Sequence, residues 1–263
     1  MSAPSALELD GVTRRFPART ARHAVFTAVE NLCFTVAAGE FVSVVGPSGC
    51  GKSTILNLVA GLDSPTEGAV RLAGKRVVGP SQHVGFMLQK DLLLPWRSIL
   101  HNVEFGLENR AMNAAERRAK ALRELERCRL SEFADRYPHQ LSGGQRQRAA
   151  LARTLAIEPE LVLLDEPFSA LDAQTKLLLQ RSFADTIAAS GITTLLITHD
   201  LSEAVAMSDR ILVMSERPGR IVEDISVDLP HRDNPIARLS LPRARELMGH
   251  LFDALHLEDR IDA

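Results

Sequence analysis

The chain has 263 residues, enough to bury a large core as one domain or as one domain with an inserted lobe. Its 31 Lys and Arg nearly balance 33 Asp and Glu, and the net charge of −2 gives no reason to expect a nucleic-acid partner. No apolar run approaches the roughly 18 residues that cross a bilayer, and no signal-peptide pattern opens the chain, so we expect a soluble cytoplasmic protein. The three cysteines, Cys33, Cys50 and Cys128, are widely spaced and odd in number, which favours reduced thiols over disulfides or a zinc site.

The N-terminal residues 6–38 predict a small antiparallel β layer. Leu7–Leu9 and Leu32–Val36 are short alternating or apolar segments, and a loop with Pro and Arg separates them. Phe16 lies in this region. Its ring would either stack on a planar ring of a ligand or pack in the core, and the residues alone leave both roles open.

A glycine-rich loop follows and fits the pattern G-x-x-x-x-G-K-[ST] for binding a nucleotide polyphosphate. It consists of Gly46, Pro47, Ser48, Gly49, Cys50, Gly51, Lys52, Ser53 and Thr54. The apolar residues 40–45 before it predict a strand buried on both faces, and residues 53–60 after it predict a helix. The glycines allow backbone angles that turn N–H groups inward, which forms an anion nest at the positive end of the helix.

This loop predicts a bound nucleoside triphosphate. Lys52 would reach the β- and γ-phosphates, Ser53 would supply one ligand to Mg²⁺, and Thr54 would lie near the α-phosphate. Cys50 is either a small residue tolerated in the loop or a reactive thiolate, whose pKa the helix N-terminus would lower. On its own, the motif indicates only that a nucleotide binds.

Between residues 90 and 157 the pattern changes from strands to helices, which predicts a helical lobe inserted in an α/β core. The strand-like run 83–88 before it ends at Gln89, whose amide could sense Mg²⁺ or a water molecule. Residues 113–128 have the spacing of an amphipathic helix. The segment Leu92–Arg97 is unusually apolar for a loop and contains the only Trp, Trp96. It either packs the lobe or forms a docking groove for a partner subunit.

Two segments after the lobe supply further groups for nucleotide chemistry. Leu141–Gln145 opens a helix that runs to about residue 156, so it is a second anion site at a helix N-terminus. The apolar strand 161–164 ends at Asp165 and Glu166, as in a Walker B element, in which the first acid binds the Mg²⁺ shell. Glu166 is then free for base chemistry, unless it is a solvated surface acid.

His199 follows another apolar strand, residues 193–198. The end of this strand should lie next to the phosphate loop in a parallel sheet, although a lone histidine is often structural. Residues 201–208 then predict a helix and 210–214 a strand. A turn at 217–222 leads into a further strand, and 242–257 predicts an amphipathic helix with Pro242 near its first position.

These motifs closely resemble those of the ATP-binding subunits of ABC (ATP-binding cassette) transporters, from residue 7 to about 227. The matching elements are Phe16 as the adenine-stacking aromatic, Gly46–Thr54 as the phosphate loop, Gln89 in the Q-loop, Leu141–Gln145 as the signature, Asp165 and Glu166 as Walker B, Ser169–Asp172 as the D-loop and His199 as the switch histidine. The resemblance implies an α/β fold, with a P-loop NTPase (RecA-like) core, an N-terminal antiparallel β layer and an inserted α-helical subdomain. An ABC ATPase domain would span residues 1–227, with the helical subdomain at about 90–157, and a short helical tail would span 228–263.

The resemblance also implies a head-to-tail homodimer, in which the signature of one copy closes over the ATP held by the other. Ser142, Gly143, Gly144 and Gln145 would contact the partner's ATP, with Ser142 and Gly144 donating to its γ-phosphate, and Asp172 would link the two sites. The implied catalytic residues are Glu166 as general base, His199, Gln89 and Lys52, and the implied Mg²⁺ ligands are Ser53, Gln89 and Asp165. A positioned general base is usually worth roughly 10²–10⁴ in rate.

Within the family, three segments look most like nitrate, sulfonate and taurine importers: Leu94–Arg97, Glu166–Thr175 and Arg217–Ile221. Ser169 departs from the glycine more usual there. The implied protein is the ATP-hydrolysing subunit of an importer, peripheral at the cytoplasmic face of the inner membrane, with separate permease subunits and an external solute-binding protein. The alternative is a non-transport ABC ATPase such as one for iron–sulfur assembly, and residues 94–96 are the discriminating stretch.

Overall fold

The structure of the protein is a computed structural model that describes residues 5–17 and 25–255. These residues form two compact units. One contains the described residues up to Ser81 and those from Thr193 onward, and the other spans Gln82–Ile192. Over the described ranges, no helix is both long and apolar enough to cross a membrane.

The first part of the first unit contains an antiparallel sheet and the start of a parallel one. Its elements are β1 (Ser5–Pro17), β2 (Val25–Ala37), β3 (Phe41–Val45), α1 (Lys52–Val59), β4 (Glu67–Leu72) and β5 (Lys75–Arg76). The order β2-β1-β4-β5 makes an antiparallel sheet, so the predicted N-terminal layer is confirmed. The loop predicted between its first two strands lies largely outside the described residues.

The second unit contains the predicted helices between two parallel strands. Its elements are β6 (Val84–Met87), α2 (Ile99–Glu104), α3 (Ala114–Arg127), α4 (Gly143–Ala156), β7 (Leu161–Asp165) and α5 (Ala173–Ser190), with 3₁₀ turns at Phe105–Leu107, Ser131–Phe133 and Pro138–Gln140. Helices α2, α3 and α4 pack against one another. Asn113 begins α3 with a reciprocal capping box, which satisfies N–H groups that a helix start leaves unpaired.

The first unit resumes with β8 (Thr193–Ile197), α6 (Leu201–Met207), β9 (Arg210–Met214), β10 (Ile221–Ser226), α7 (Pro235–Leu239) and α8 (Pro242–Ala254). Strand β3 pairs in parallel with β8 on one side and β9 on the other, and β10 adds an antiparallel strand to β9. All five residues of β3 are buried, as the apolar run predicted. The carboxyl ends of β3 and β8 therefore lie side by side.

The C-terminal helices α7 and α8 pack on α6. Leu247 and Leu251 of α8 join a buried cluster with Ala204 and Val205 of α6. Arg238 of α7 is 1% exposed, and its guanidinium donates to the carbonyl oxygens of Ala206 (3.3 Å) and Leu229 (3.0 Å). The tail thus holds the carboxyl end of α6 through both apolar packing and hydrogen bonds. Residues 256–257, the predicted end of α8, lie outside the described part of the chain.

Candidate functional site

The glycine-rich loop joins β3 to α1 and adopts a conformation that requires its glycines. Gly49 and Gly51 have φ of 78° and 109°, in the region that L side chains rarely adopt. At Gly51 a Cβ would also lie 2.5 Å from Val29 Cγ1. Gly46 is crowded instead, since its Cβ would lie 2.9 Å from that of Met214. The loop therefore turns sharply into the helix between close neighbours.

The first turn of α1 combines a free helix end with a buried ammonium group. Gly51 is the N-cap, no side chain accepts a hydrogen bond there, and no acidic residue lies in the first turn. Lys52 is 7% exposed, and its Nζ donates to the carbonyl oxygens of Gly46 (2.7 Å) and Pro47 (2.9 Å). Helix dipole and ammonium both favour an anion at this loop. Ser53 is exposed and Thr54 is half-buried beside it.

Cys50 differs from the predicted reactive thiolate. Its side chain is 1% exposed, and burial raises the pKa of its thiol because the charged form loses its hydration. The Lys52 ammonium, 3.9 Å from Sγ, opposes this shift without overcoming it. The prediction of a lowered pKa was therefore wrong, since the sulfur is buried and loses its hydration.

Phe16 lies on β1 directly opposite Phe26 of β2, so the two rings share one face of the sheet. Phe16 is half-buried, and the guanidinium of Arg14 lies 4.4 Å from its ring centroid. The ring is thus not enclosed in the core. Stacking on adenine remains a prediction for it.

His199 is exposed and follows β8 at the same edge of the sheet as the phosphate loop. Val44 of β3 pairs with Ile197 of β8, and Thr198 N–H donates to the Val44 carbonyl (3.3 Å). The predicted parallel arrangement is confirmed. Asp200 then caps α6 by accepting from the N–H of Ser202 (2.7 Å), which fixes the backbone directly after His199.

In the second unit, Asp165 ends β7 and Glu166 follows it, both half-buried. Glu166 has φ of 44°, a left-handed conformation that is uncommon for a residue other than glycine and costs energy. Its carbonyl accepts from Ser169 N–H (3.2 Å) and Ser169 Oγ–H (3.0 Å). The turn after β7 thus holds Glu166 in an unusual orientation at the strand end.

Ser169 also contacts Gln89, a link that the sequence analysis missed. Gln89 Nε2 donates to Ser169 Oγ (2.9 Å), and Gln147 Nε2 donates to the Gln89 carbonyl (3.0 Å). The serine hydroxyl therefore joins the side chain of Gln89 to the backbone of Glu166. The only sequence signal was that Ser169 stands where glycine is more usual, since a glycine could not make this bridge.

The signature segment begins α4 with a capping box. Ser142 Oγ accepts from Gln145 N–H (3.3 Å), and Gln145 Oε1 accepts from Ser142 N–H (2.8 Å). Gly143 is half-buried. Gly144 is buried, and a Cβ there would lie 2.9 Å from Thr175 Cγ2. A cavity of about 270 Å³ adjoins this end, and Arg129, Ser142, Gly144, Gln145, Arg148 and Thr175 line part of it. Arginines and a helix N-terminus together suit an anionic group.

Asp172 is exposed and caps α5, because its carboxylate accepts from the N–H of Thr175 (3.0 Å). This hydrogen bond holds the pKa of Asp172 below its ordinary value, since it stabilises the charged form. The aspartate therefore stays ionised at the start of α5.

The loop Leu92–Arg97 presents its tryptophan to solvent. Trp96 is 71% exposed, whereas Leu93 is 7% exposed and packs inside. The buried Asn102 holds the loop, since its Oδ1 accepts from Leu94 N–H (2.7 Å) and its Nδ2 donates to the carbonyls of Leu94 and Arg97 (both 3.1 Å). A loop held this firmly displays an apolar ring that contributes little to the core, so lobe packing accounts for Leu93 and not for Trp96.

Comparison with known proteins identifies the family. A family model described as "ABC transporter" matches residues 29–169, more than half of the chain. The chain belongs to the ABC transporter family. It is 48% identical over 202 residues to an uncharacterised ABC transporter ATP-binding protein of Methanocaldococcus jannaschii, which covers 77% of this chain and 76% of that protein. It is 44% identical over 205 residues to the taurine import ATP-binding protein TauB of Yersinia pestis, which covers 78% and 80% of the two chains.

Solved ABC structures resemble this one in fold. The dimeric post-hydrolysis state of the ATP-binding cassette MJ0796, bound to ADP and Pi, has a TM-score of 0.72 and 34% identity over 84% of this chain and 98% of that chain. The predicted fold, a P-loop core with an antiparallel layer and helices, is confirmed. As an ABC ATPase, the chain binds ATP and couples its hydrolysis to transport.

Proposed function

We propose that the chain is the ATP-hydrolysing subunit of an importer for a small anionic solute of the nitrate, sulfonate or taurine type. The similarity to TauB supports the importer assignment. The exposed Trp96 supports a docked membrane subunit, because an apolar ring on a firmly held surface loop suits a protein partner. The permease and an external solute-binding protein would be separate chains, and this subunit would lie peripherally on the cytoplasmic face. In this proposal residues 1–227 form the ATPase domain and 228–263 the tail.

The triphosphate would bind to the loop Gly46–Thr54. Its positive-φ glycines, uncapped helix end and buried ammonium favour a polyanion at one place. Lys52 would exchange its loop carbonyls for phosphate oxygens, and the adenine would stack on Phe16.

The residues proposed to hold Mg²⁺ offer the oxygen donors that this hard cation prefers. Ser53 supplies a hydroxyl, Asp165 a carboxylate and Gln89 an amide oxygen. The Nε2 of Gln89 already donates to Ser169 Oγ. Bound Mg²⁺ would neutralise charge on the β- and γ-phosphate oxygens.

Glu166 would act as general base. A water oxygen attacks the γ-phosphorus, the bond from that phosphorus to the β–γ bridging oxygen breaks, and the water proton passes to the Glu166 carboxylate. His199 would contact the γ-phosphate and the attacking water, and Gln89 would orient that water. The left-handed backbone of Glu166 supports this role, since strained conformations cluster at functional sites.

Two copies would assemble head to tail, with Ser142–Gln145 of one closing on the ATP of the other. Ser142 Oγ accepts from Gln145 N–H and keeps its own proton to donate to a γ-phosphate oxygen. Asp172, ionised at the surface, would link the two sites. MJ0796 is dimeric in its ADP- and Pi-bound structure.

Solute uptake tests this function. In a strain that lacks the chain, we expect uptake of taurine, an alkanesulfonate or nitrate to fall to background. The wild-type chain should restore it and Glu166→Gln should not, while uptake of an unrelated amino acid serves as the control. Unchanged uptake of all three solutes would contradict the proposed importer.

A further inference from the structure

A surface turn between β9 and β10 lies directly against the phosphate loop. In it, Arg217 is exposed to solvent, yet its guanidinium makes specific contacts. Its Nε and Nη2 both donate to the carbonyl oxygen of Gly49, at 3.0 and 2.7 Å. The same guanidinium lies 4.3 Å from the ring centroid of Phe26. A planar fork on one carbonyl and a stacked ring together fix the orientation of the group.

The backbone of the turn also touches the phosphate loop. Gly219 is buried, and a Cβ there would lie 2.0 Å from the Cys50 carbonyl oxygen, so only glycine fits. Gly219 N–H donates to the Ala28 carbonyl (3.0 Å), and the Glu30 N–H donates to the Gly219 carbonyl (2.9 Å). The turn is therefore anchored to β2, and Arg217 extends from a fixed base.

The contact with Gly49 affects the anion nest because the peptide unit is planar. Fixing the Gly49 carbonyl oxygen also fixes the N–H of Cys50 in the same plane, and this N–H donates to the Pro47 carbonyl (3.3 Å), so the contact holds the turn of the phosphate loop. Gly49 has φ of 78°, and a glycine loses more conformational freedom on ordering than any other residue. A bond that orders this peptide before the ligand arrives lowers the entropic cost of binding.

We propose that Arg217 is a positioning residue that holds the phosphate loop in its anion-binding conformation before ATP binds. This rests on the proposed function of Gly46–Thr54 as the triphosphate site. The guanidinium acts through Gly49 and takes no part in hydrolysis, so its loss weakens ATP binding and leaves turnover at saturation unchanged.

The chain offers a matched control in Arg220, which lies in the same turn and is also exposed. Its guanidinium pairs with Glu30, with Nε 3.1 Å from Oε2. Arg220→Gln therefore removes an equal charge and a surface ion pair without removing the bond to Gly49. Any difference between the two glutamine variants therefore belongs to the contacts that Arg217 makes with Gly49 and with the Phe26 ring.

The test measures KM and kcat for MgATP hydrolysis, the Kd of a fluorescent ATP analogue, and the melting temperature of the nucleotide-free protein. We expect Arg217→Gln to raise KM and Kd about tenfold with kcat within about twofold, since hydrogen bonds from a charged donor are the stronger ones. Arg220→Gln should change none of these by more than about twofold. Arg217→Lys should raise KM about threefold, because lysine keeps the charge and loses the planar fork.

A KM for Arg217→Gln equal to that of Arg220→Gln, or a lower kcat at unchanged KM, would overturn the inference. If Arg217→Gln melts at a lower temperature than the control, Arg217→Lys decides the question. A raised KM in Arg217→Lys at the wild-type melting temperature supports the positioning role, and a wild-type KM in that variant refutes it. Lys52→Ala distinguishes failure of the positioning role of Arg217 from failure of the proposed triphosphate site. Weakened binding there, with normal binding in Arg217→Gln, refutes only the inference, whereas normal binding in both refutes the triphosphate site itself.

Discussion

Alkylation of the three cysteines depends directly on where the structure places each thiol. Cys33 is exposed, whereas Cys50 and Cys128 are each 1% exposed. Burial raises the pKa of the Cys128 thiol to about 12, and burial also raises the pKa of Cys50. At pH 7 a thiol with a pKa of about 12 is ionised in about one molecule in 10⁵, against about 3% for an unperturbed cysteine. The smaller thiolate fraction alone therefore slows alkylation of Cys128 by about three orders of magnitude relative to an ordinary thiol.

Treatment of the folded protein with a maleimide at pH 7, followed by mass spectrometry of its peptides, should label Cys33 first, then Cys50 and last Cys128. Labelling of Cys50 should rise with pH, because the thiolate fraction rises as pH approaches the raised pKa. Cys33→Ser should remove the fast phase and leave the slow ones unchanged. Labelling of Cys50 as fast as Cys33 at pH 7 would refute the reasoning, since it would show an accessible thiolate in the phosphate loop.

Three further substitutions separate binding, docking and stability. Lys52→Ala should weaken ATP binding at least about 100-fold in calorimetry, because it removes the buried ammonium at the phosphate loop. Trp96→Ala should leave the melting temperature and basal ATPase activity nearly unchanged, since the ring is exposed, while it abolishes co-purification with the proposed permease. Arg238→Ala should lower the free energy of unfolding in urea by about 2–4 kcal/mol, because it removes a buried guanidinium and its hydrogen bonds to the carbonyls of Ala206 and Leu229.

For each of these predictions, one result would contradict the physical reason given for it. Wild-type ATP affinity in Lys52→Ala would contradict the proposal that the phosphate loop binds the triphosphate. Loss of folding in Trp96→Ala would show that the ring packs the lobe. For Arg238, the exposed Arg243 of α8 is a matched control, since its guanidinium pairs with Glu246 at the surface. Equal stability of both alanine variants would contradict the stabilising role of the buried guanidinium.

The phosphate loop was predictable from sequence because its chemistry depends on backbone geometry. Glycine is the residue that tolerates the φ of Gly49 and Gly51, so the motif specifies its own conformation. The strand β3 was equally clear, because a strand buried on both faces has a continuous apolar sequence. The direction of the Cys50 side chain was not predictable, since it depends on packing between segments distant in sequence.

Helix α5 was missed because its apolar residues do not mark one face. Leu179, Phe183 and Ile187 are buried at helical spacing, yet Leu177 and Leu178 are 42% and 63% exposed. The mixture weakens the periodicity on which a helix prediction depends. The bridge from Gln89 through Ser169 to Glu166 was missed for another reason: it joins residues 80 positions apart, and no local pattern indicates it.

The proposed hydrolysis depends on the Glu166 carboxylate as general base, and Glu166→Gln removes that base alone. The substitution keeps the size of the side chain and removes its basic carboxylate. With MgATP, this variant should bind nucleotide as the wild type does, hydrolyse it at least about 100-fold more slowly, and elute from size-exclusion chromatography as a stable dimer. Wild-type turnover would contradict the role of Glu166 as general base. A monomer in saturating MgATP would contradict the proposed head-to-tail dimer.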